Sequence, residues 1–365
     1  MLPDTMSAVQ LTGHGGLEKL VYRDDVPVPS PAPGEVLIEV TATGMNNTDV
    51  WVREGAYGTE TSPGSVSTWR RDRSTLEFPR IQGTDIVGRI ADVGQGVPAS
   101  RIGERVIVDF SIYNRPEGDN SLADIDYIGH GRDGGYCEYT TVPTENAYQT
   151  DAGISDAELA TFGCAYQTGE HMLDRARVAV GERVLVTGAS GGVGSGIVQL
   201  CRARDAIPYV VTSREKKDAL IAIGAEGVVF RDDGDLVAQV DAATDGAPID
   251  VVADLVAGRL FNDLLRILRP EGRYTTAGAI GGPVVELDLR TMYLKQLEFH
   301  GSSQGTRDTF RRVLRLIEHG TIKPLLHDVY RLSEFHRGQE AFMAKSHIGN
   351  IVIVPDAKWD DHGLS

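Results

Sequence analysis

Four short polar side chains follow one another in Gly44-Met45-Asn46-Asn47-Thr48-Asp49-Val50-Trp51, directly after the alternating run VLIEVTAT. Two amides, a hydroxyl and a carboxylate at a strand end make either a turn or a site. As local structure, a short carboxylate here caps the helix expected in VWVREG, which gives Asp49 and Asn47 to the cap and the turn.

A second chemical signal is VLVTGASGGVGSGIVQL. Gly188, Gly191, Gly192 and Gly194, with Val193 among them, stand between an apolar strand-like run and a helix-like one. There the backbone turns tightly and lets a pyrophosphate approach the N–H groups of a helix N-terminus. The spacing is GxxGGxG rather than GxGxxG, and such turns also serve packing alone, but the strand before it and the helix after it favour a dinucleotide.

The end of the next strand selects the nucleotide. An acidic residue there accepts from the ribose hydroxyls of NAD, whereas a 2′-phosphate wants cations and hydroxyls. The chain reads Thr212-Ser213-Arg214-Glu215-Lys216-Lys217. Ser213 in place of an acid, with Arg214 and Lys217 about one helical turn apart, predicts NADP(H). The alternative is a solvated helix start whose basic side chains pair with Glu215.

These groups need a framework, and the chain supplies two kinds. Up to about residue 160, VLIEVTAT, IVGRIADVG, RVIVDF and GGYCEYTTV alternate apolar and polar residues between glycines and prolines, the pattern of a small, mostly antiparallel barrel or sandwich. From residue 183, strands alternate with helices of about ten residues, which implies βαβ units and a parallel sheet covered on both faces. TFRRVLRLIEHG and SEFHRGQEAFMAK then read as amphipathic helices and NIVIVP as a closing strand that belongs to the other domain. Two segments, 55–80 and 110–133, are long and rich in turn formers, either binding loops or surface decoration.

Composition fits this division. At 365 residues the chain exceeds one ordinary core, and 41% apolar with 24% charged residues is an ordinary globular composition. A net charge of −16 argues against nucleic acid as a partner. The amino terminus carries no basic-then-apolar leader and no 18-residue apolar run occurs, so a cytoplasmic protein without a membrane partner is expected. Three widely spaced cysteines, Cys137, Cys164 and Cys201, fit neither a disulfide framework nor a four-cysteine zinc lobe.

A β-rich first part, the strand-GASGGVG-helix unit, LRPEGRYTTAG and the closing GNIVIVP together resemble the medium-chain dehydrogenase/reductase superfamily over nearly the whole chain. Within it the sequence is most similar to the zinc-independent quinone oxidoreductase and enoyl reductase branch. The resemblance implies an α/β protein with a GroES-like β-rich barrel domain (1–160), a Rossmann doubly wound parallel-sheet domain that binds NADP (161–305), and a C-terminal segment (306–365) returning to the first. It also implies a homodimer acting on a small-molecule substrate.

The zinc-dependent alcohol dehydrogenase relatives place a cysteine in the segment like GMNNTD, a histidine in a glycine-histidine-glutamate motif, and a later cysteine or acid. Here Asn46 holds the first position, the motif reads Gly83-Thr84-Asp85, and Cys164 stands at the third, a set that cannot hold Zn²⁺. Without a Lewis acid to stabilise an alkoxide, hydride transfer to a quinone or an α,β-unsaturated carbonyl is the easier chemistry.

By the same resemblance Asn46 and Tyr57 lie beside nicotinamide and substrate, and Thr48 donates to a substrate oxygen. Thr168, Gly278, Ala279, Ser302 and Asn350 would contact the cofactor, Asn350 standing where many relatives have lysine. Trp69, Arg70, Arg71 and Arg73 are either a basic, aromatic lid or a dimer contact. His171 and His300, each in a regular element, are expected to be packed or surface residues. Two other functions stay open: an alcohol dehydrogenase using Cys164 with Asp85 for an atypical metal site, and a non-catalytic NADPH-binding protein.

Overall fold

A computed structural model of the chain describes residues 2–57, 76–113 and 125–362. Parts of both long loops, and all of Trp69, Arg70, Arg71 and Arg73, lie outside the described residues. The chain divides into two compact units: Met1–Cys164 with Thr306–His319 and Pro324–Ser365, and Ala165–Gly305 with Gly320–Lys323.

The first unit is built on a seven-stranded sheet. Ala147–Gln149, Arg105–Val108, Asp85–Val93, Glu35–Gly44, Asn350–Val354 and Leu326–Arg331 lie side by side in that order, and Tyr139–Pro143 also pairs with Glu35–Gly44. All pairs are antiparallel except the last two strands of the row. The alternation seen in VLIEVTAT buries Val36, Ile38 and Val40 in one cluster with Ile86, Ile90, Val106, Val108 and Ile353. Each such side chain contributes roughly 1.5–3 kcal/mol by leaving water. Two register shifts between Glu35–Gly44 and Asp85–Val93 are bulges, which coil the sheet towards the expected barrel. A three-stranded sheet, Leu20–Pro27, Thr5–Leu11 and Arg80–Ile81, completes the unit with the short pair Ser111–Tyr113 and Ile125–Tyr127.

Register positions the first candidate site. Gly44 is paired with Asp85 and Thr43 with Ile86, so the chain leaving one strand at Met45 and Asn46 runs beside Thr84. Met45 donates its N–H to the Ile351 carbonyl at 2.9 Å, which fastens this turn to the closing strand. The helix that follows is Asn47–Arg53, earlier than VWVREG alone suggested. Asn46 is its N-cap, and Asp49 caps by reaching back to accept the Asn46 N–H at 2.9 Å.

The second unit carries six parallel strands in the order Gly227–Phe230, Ile207–Thr212, Arg183–Val186, Ile249–Asp254, Leu268–Thr276, Glu298–Gly301. The first strand in sequence is central, the next two step outward on one side, and the remaining three fill the other. That is the doubly wound order, with its switch point between Arg183–Val186 and Ile249–Asp254. Val184, Leu185 and Val186 are wholly buried, as a strand covered on both faces requires. The helix Gly192–Ala203 is buried from Gly194 through Cys201, and Ile197 and Leu200 lie close to Gly169 of the helix Gly163–Arg175.

Candidate functional site

In the first unit the polar stretch resolves into two hydrogen-bonded groups. Asn46 donates its side-chain amide to Asp85 Oδ2 at 2.9 Å and to Thr84 Oγ1 at 3.2 Å. Asp85 Oδ1 accepts the Thr84 hydroxyl at 3.3 Å and the main-chain N–H of Cys164 at 2.6 Å. Asp49, already bound to the Asn46 N–H, also accepts the Tyr136 hydroxyl at 2.6 Å. One asparagine therefore links two buried carboxylates. Burial pushes Asp85 up to about 7, against the hydrogen bonds from Asn46 and Cys164 that favour its charged form. Burial likewise pushes Asp49 up to about 6 against the Tyr136 hydroxyl and the Asn46 N–H.

The second group is Thr48 with Tyr57. Their hydroxyls are hydrogen-bonded, and the Tyr57 ring packs edge-on against Trp51 at 5.8 Å between centroids. Burial raises the Tyr57 pKa well above the ordinary tyrosine value, and the negative potential of Cys164 and Asp49 adds to this. The phenol stays protonated and remains a donor. Asn46, Thr48 and Tyr57 are thus gathered around the first turn of one helix. Asn350 is elsewhere employed: it is buried, and its amide donates to the Thr161 carbonyl at 2.9 Å.

These residues do not fit zinc. The Asn46 nitrogen is a donor aimed at a carboxylate, Thr84 is a neutral hydroxyl, and both Asp85 oxygens are already accepting. A catalytic zinc needs three anionic or imidazole ligands with an open position. Among the described residues no three His, Cys, Asp or Glu side chains converge on one point in the way a metal ion requires.

The second unit offers a nucleotide cradle. Gly188 lies at φ +59°, a left-handed backbone that side chains disfavour, and Gly191 donates back to its carbonyl at 3.1 Å. Gly191 is the N-cap of the helix beginning at Gly192, so Gly192, Val193 and Gly194 present the free N–H end of that helix. A Cβ on Gly194 would enter the Gly188 carbonyl and come within 2.7 Å of the Ala189 Cα. The loop can close this tightly only with glycine there.

The basic side chains after the second strand are arranged differently from the expectation. Arg214 turns away to an ion pair with Asp233 and stacks over Phe230 at 4.5 Å, and Lys217 is exposed. Lys216, which the sequence did not single out, is half-buried and donates to the Ser190 hydroxyl inside the glycine loop at 3.3 Å. Burial and the neighbouring Arg231 cation hold its pKa below the ordinary lysine range. Ser213 is hydrogen-bonded to Glu215.

Beyond the fifth strand, Gly278 and Ala279 lie half-buried in the loop after Thr276, whose hydroxyl donates to the Gly278 carbonyl at 3.1 Å. Ser302 donates its N–H to the Thr276 carbonyl at 2.8 Å, while its own Oγ is buried with no hydrogen-bond partner among the described residues. Thr168 is buried in the helix Gly163–Arg175. His171 is buried in the same helix, and His300 lies in an edge strand 3.3 Å from Glu298, both as expected of packed or surface residues. A glycine cradle at a helix N-terminus and an orphaned hydroxyl at the strand ends fit a dinucleotide.

Comparison with known proteins agrees with this architecture. Residues 32–152 match the alcohol dehydrogenase GroES-like domain, and residues 192–319 match the zinc-binding dehydrogenase family. A solved structure of a candidate alcohol dehydrogenase from Sinorhizobium meliloti 1021 is 69% identical, covers 97% of this chain and 98% of its own, and superposes with a TM-score of 0.93. The chain belongs to the medium-chain dehydrogenase/reductase superfamily, and is an oxidoreductase of that type, whose members use nicotinamide cofactors.

More distant relatives spread across several activities. Rat (Rattus norvegicus) quinone oxidoreductase is 26% identical over 96% of this chain and 98% of its own. Acryloyl-coenzyme A reductase of Metallosphaera sedula is 28% identical over 95% and 99%. A NAD-dependent alcohol dehydrogenase of Sulfurisphaera tokodaii is 26% identical over 96% and 100%. Among the described residues no helix is long and apolar enough to cross a membrane.

Proposed function

We propose that this protein is a zinc-independent reductase that uses NADPH to transfer hydride to a quinone or an α,β-unsaturated carbonyl, in the quinone oxidoreductase and enoyl reductase branch of its superfamily. The observation that carries this reading is the Asn46 amide donating to Asp85, where the zinc-dependent relatives keep ligands. Lys216 at the glycine loop, with Arg231 beside it, supports NADPH over NADH, because a 2′-phosphate supplies the anion that two neighbouring cations favour. The relatives named for quinone and acryloyl-coenzyme A reduction support the acceptor class.

Bound NADPH would supply the hydride. The chain's own residues would do the rest. The glycine loop and Lys216 hold the phosphates, and the Thr48–Tyr57 hydroxyl pair donates a hydrogen bond to the acceptor oxygen as negative charge develops there. The raised Tyr57 pKa keeps that proton available, and Asn46 is held in one orientation by Asp85. The same reading carries a homodimer in the cytoplasm with a small-molecule substrate.

The test is NADPH oxidation against a panel of quinones, enones and enoyl thioesters, with metal analysis of the same preparation. Turnover of one class in metal-free protein is the expected result. Alcohol oxidation that tracks stoichiometric zinc overturns the reading. Tight NADPH binding with no acceptor reduced leaves a binding protein instead.

A further inference from the structure

Asp254 ends the fourth parallel strand, just across the switch point, and is completely buried. Its Oδ1 accepts the Thr187 hydroxyl, the Val256 N–H at 2.9 Å and the Ala257 N–H at 3.1 Å. Its Oδ2 accepts the Tyr274 hydroxyl at 2.6 Å and again the Ala257 N–H at 3.1 Å. Thr187 in turn accepts the Leu255 N–H at 2.9 Å. Three successive N–H groups of the loop 255–257 are thereby captured by two side chains from strand ends, and a third strand contributes the tyrosine.

The loop so held is strained. Ala257 lies at φ 54°, ψ −136°, a conformation that a residue with a Cβ rarely adopts and that persists only where its surroundings over-determine it. It is also wedged between the Gly188 turn and the loop that carries Gly281. A Cβ on Gly188 would meet the Leu255 Cβ at 3.3 Å and the Val256 Cγ2 at 3.5 Å. On the other side Gly281 donates to the Val256 carbonyl at 2.7 Å, and a Cβ on Gly258 would enter the Gly281 carbonyl. In a doubly wound sheet the half carrying the fourth to sixth strands takes the second mononucleotide, so this loop walls the nicotinamide half of the groove.

We propose that Asp254, acting with Thr187 and Tyr274, is the positioning residue for that nicotinamide-side wall, an assignment that rests on the nicotinamide-dinucleotide reading above. It touches no ligand itself. It fixes the main chain at Leu255–Ala257 against the Gly188 and Gly278–Gly281 loops, so that the groove has its bound shape before the cofactor enters.

The test separates the two halves of the cofactor. Wild type, Asp254→Asn and Tyr274→Phe are titrated with NADPH by fluorescence and with 2′,5′-ADP, which lacks the nicotinamide half, by competition. Asp254→Asn is expected to weaken NADPH by about tenfold and leave 2′,5′-ADP within about twofold, with Tyr274→Phe intermediate. A merely structural role would weaken both ligands together, and that result, or no change in either, overturns the proposal. Should Asp254→Asn not fold, Tyr274→Phe, which removes one hydroxyl from the same carboxylate, must still weaken NADPH selectively. Wild type that binds neither NADPH nor NADH overturns the functional reading itself, a failure distinct from equal loss of NADPH and 2′,5′-ADP.

Discussion

Asn46 donates its side-chain amide to Asp85 at 2.9 Å, across 39 residues of sequence, and closes what in zinc-dependent relatives is a metal pocket into a hydrogen-bonded knot. A Lewis-acid centre needs lone pairs pointing inward at a vacant point. Here the inward groups are an amide donor and a hydroxyl donor, and the one carboxylate among them is satisfied by both.

If that knot is what excludes the metal, undoing it should admit one. The double substitution Asn46→Cys and Thr84→His, with Cys164 retained, is expected to bind about one zinc per chain, whereas wild type binds none stoichiometrically. Elemental analysis after dialysis reads the difference. Wild type carrying as much zinc as the variant would refute the idea.

Asp85 also predicts a pH dependence of stability. Its folded pKa of about 7 lies above the ordinary 3.8, so between these values the native state holds a proton that the unfolded chain has lost. More protons bound to the native state means that stability falls as pH rises, the loss being complete above the folded pKa. In Asp85→Asn this contribution is gone. The Tm of the variant relative to wild type should therefore climb between about pH 5 and about pH 8, and a flat difference would contradict the burial argument.

At the nucleotide end, Lys216→Ala should weaken NADPH by about 10- to 100-fold, the loss of one charge-assisted contact, while NADH is little affected. Arg214→Ala, whose guanidinium is already committed to Asp233, should change either affinity by less than about threefold. Equal losses for NADPH and NADH in Lys216→Ala would remove the 2′-phosphate assignment.

Gly194→Ala should open the glycine turn, because the added methyl meets main chain rather than a yielding side chain. A lower Tm, by several degrees, and at least about tenfold weaker NADPH binding are the expected readings in thermal and fluorescence titrations. Unaltered NADPH affinity would show that the cofactor does not need this closure.

For the hydroxyl pair, Tyr57→Phe keeps the packing on Trp51 and removes the donor. A fall of about 100-fold in kcat with unchanged NADPH affinity is expected. Because the phenol is held above its ordinary 10.0, the wild-type kcat profile should show no alkaline limb from this group below that pH.

Much of this arrangement was legible in the residues. The apolar run RVLV and the helical spacing of Val193, Ile197, Leu200 and Cys201 mark the strand-loop-helix around the glycines, although Val193 is only half-buried and the helix is buried on more than that stripe, from Gly194 through Cys201. What failed was geometry that departs from the regular period. Arg214 and Lys217 are three residues apart, but tertiary partners override that spacing: Asp233 and the Phe230 ring draw Arg214 away, Lys217 is exposed, and Lys216, ending the 3₁₀ turn Arg214–Lys216, reaches Ser190. Asp254 stands out little in the residues, because Ile249–Asp254 runs on into the apolar Leu255 and Val256. An acid closing such a strand just before a turn was the signal. The strands Thr5–Leu11 and Leu20–Pro27 were not marked out either, since most of Leu20–Pro27 is exposed and carries no alternation.

The closing strand Asn350–Val354 lies between Leu326–Arg331 and Glu35–Gly44, and Ile351 accepts the N–H of Met45. A chain emerging from the ribosome amino end first can assemble all six parallel strands between residues 183 and 301 while the Gly44 end of the older sheet still lacks its neighbour. Birth order and completion order are thus reversed. The turn that carries Asn46 is among the first parts synthesised and among the last to be fastened, and until residue 351 arrives it is an open strand edge in need of protection.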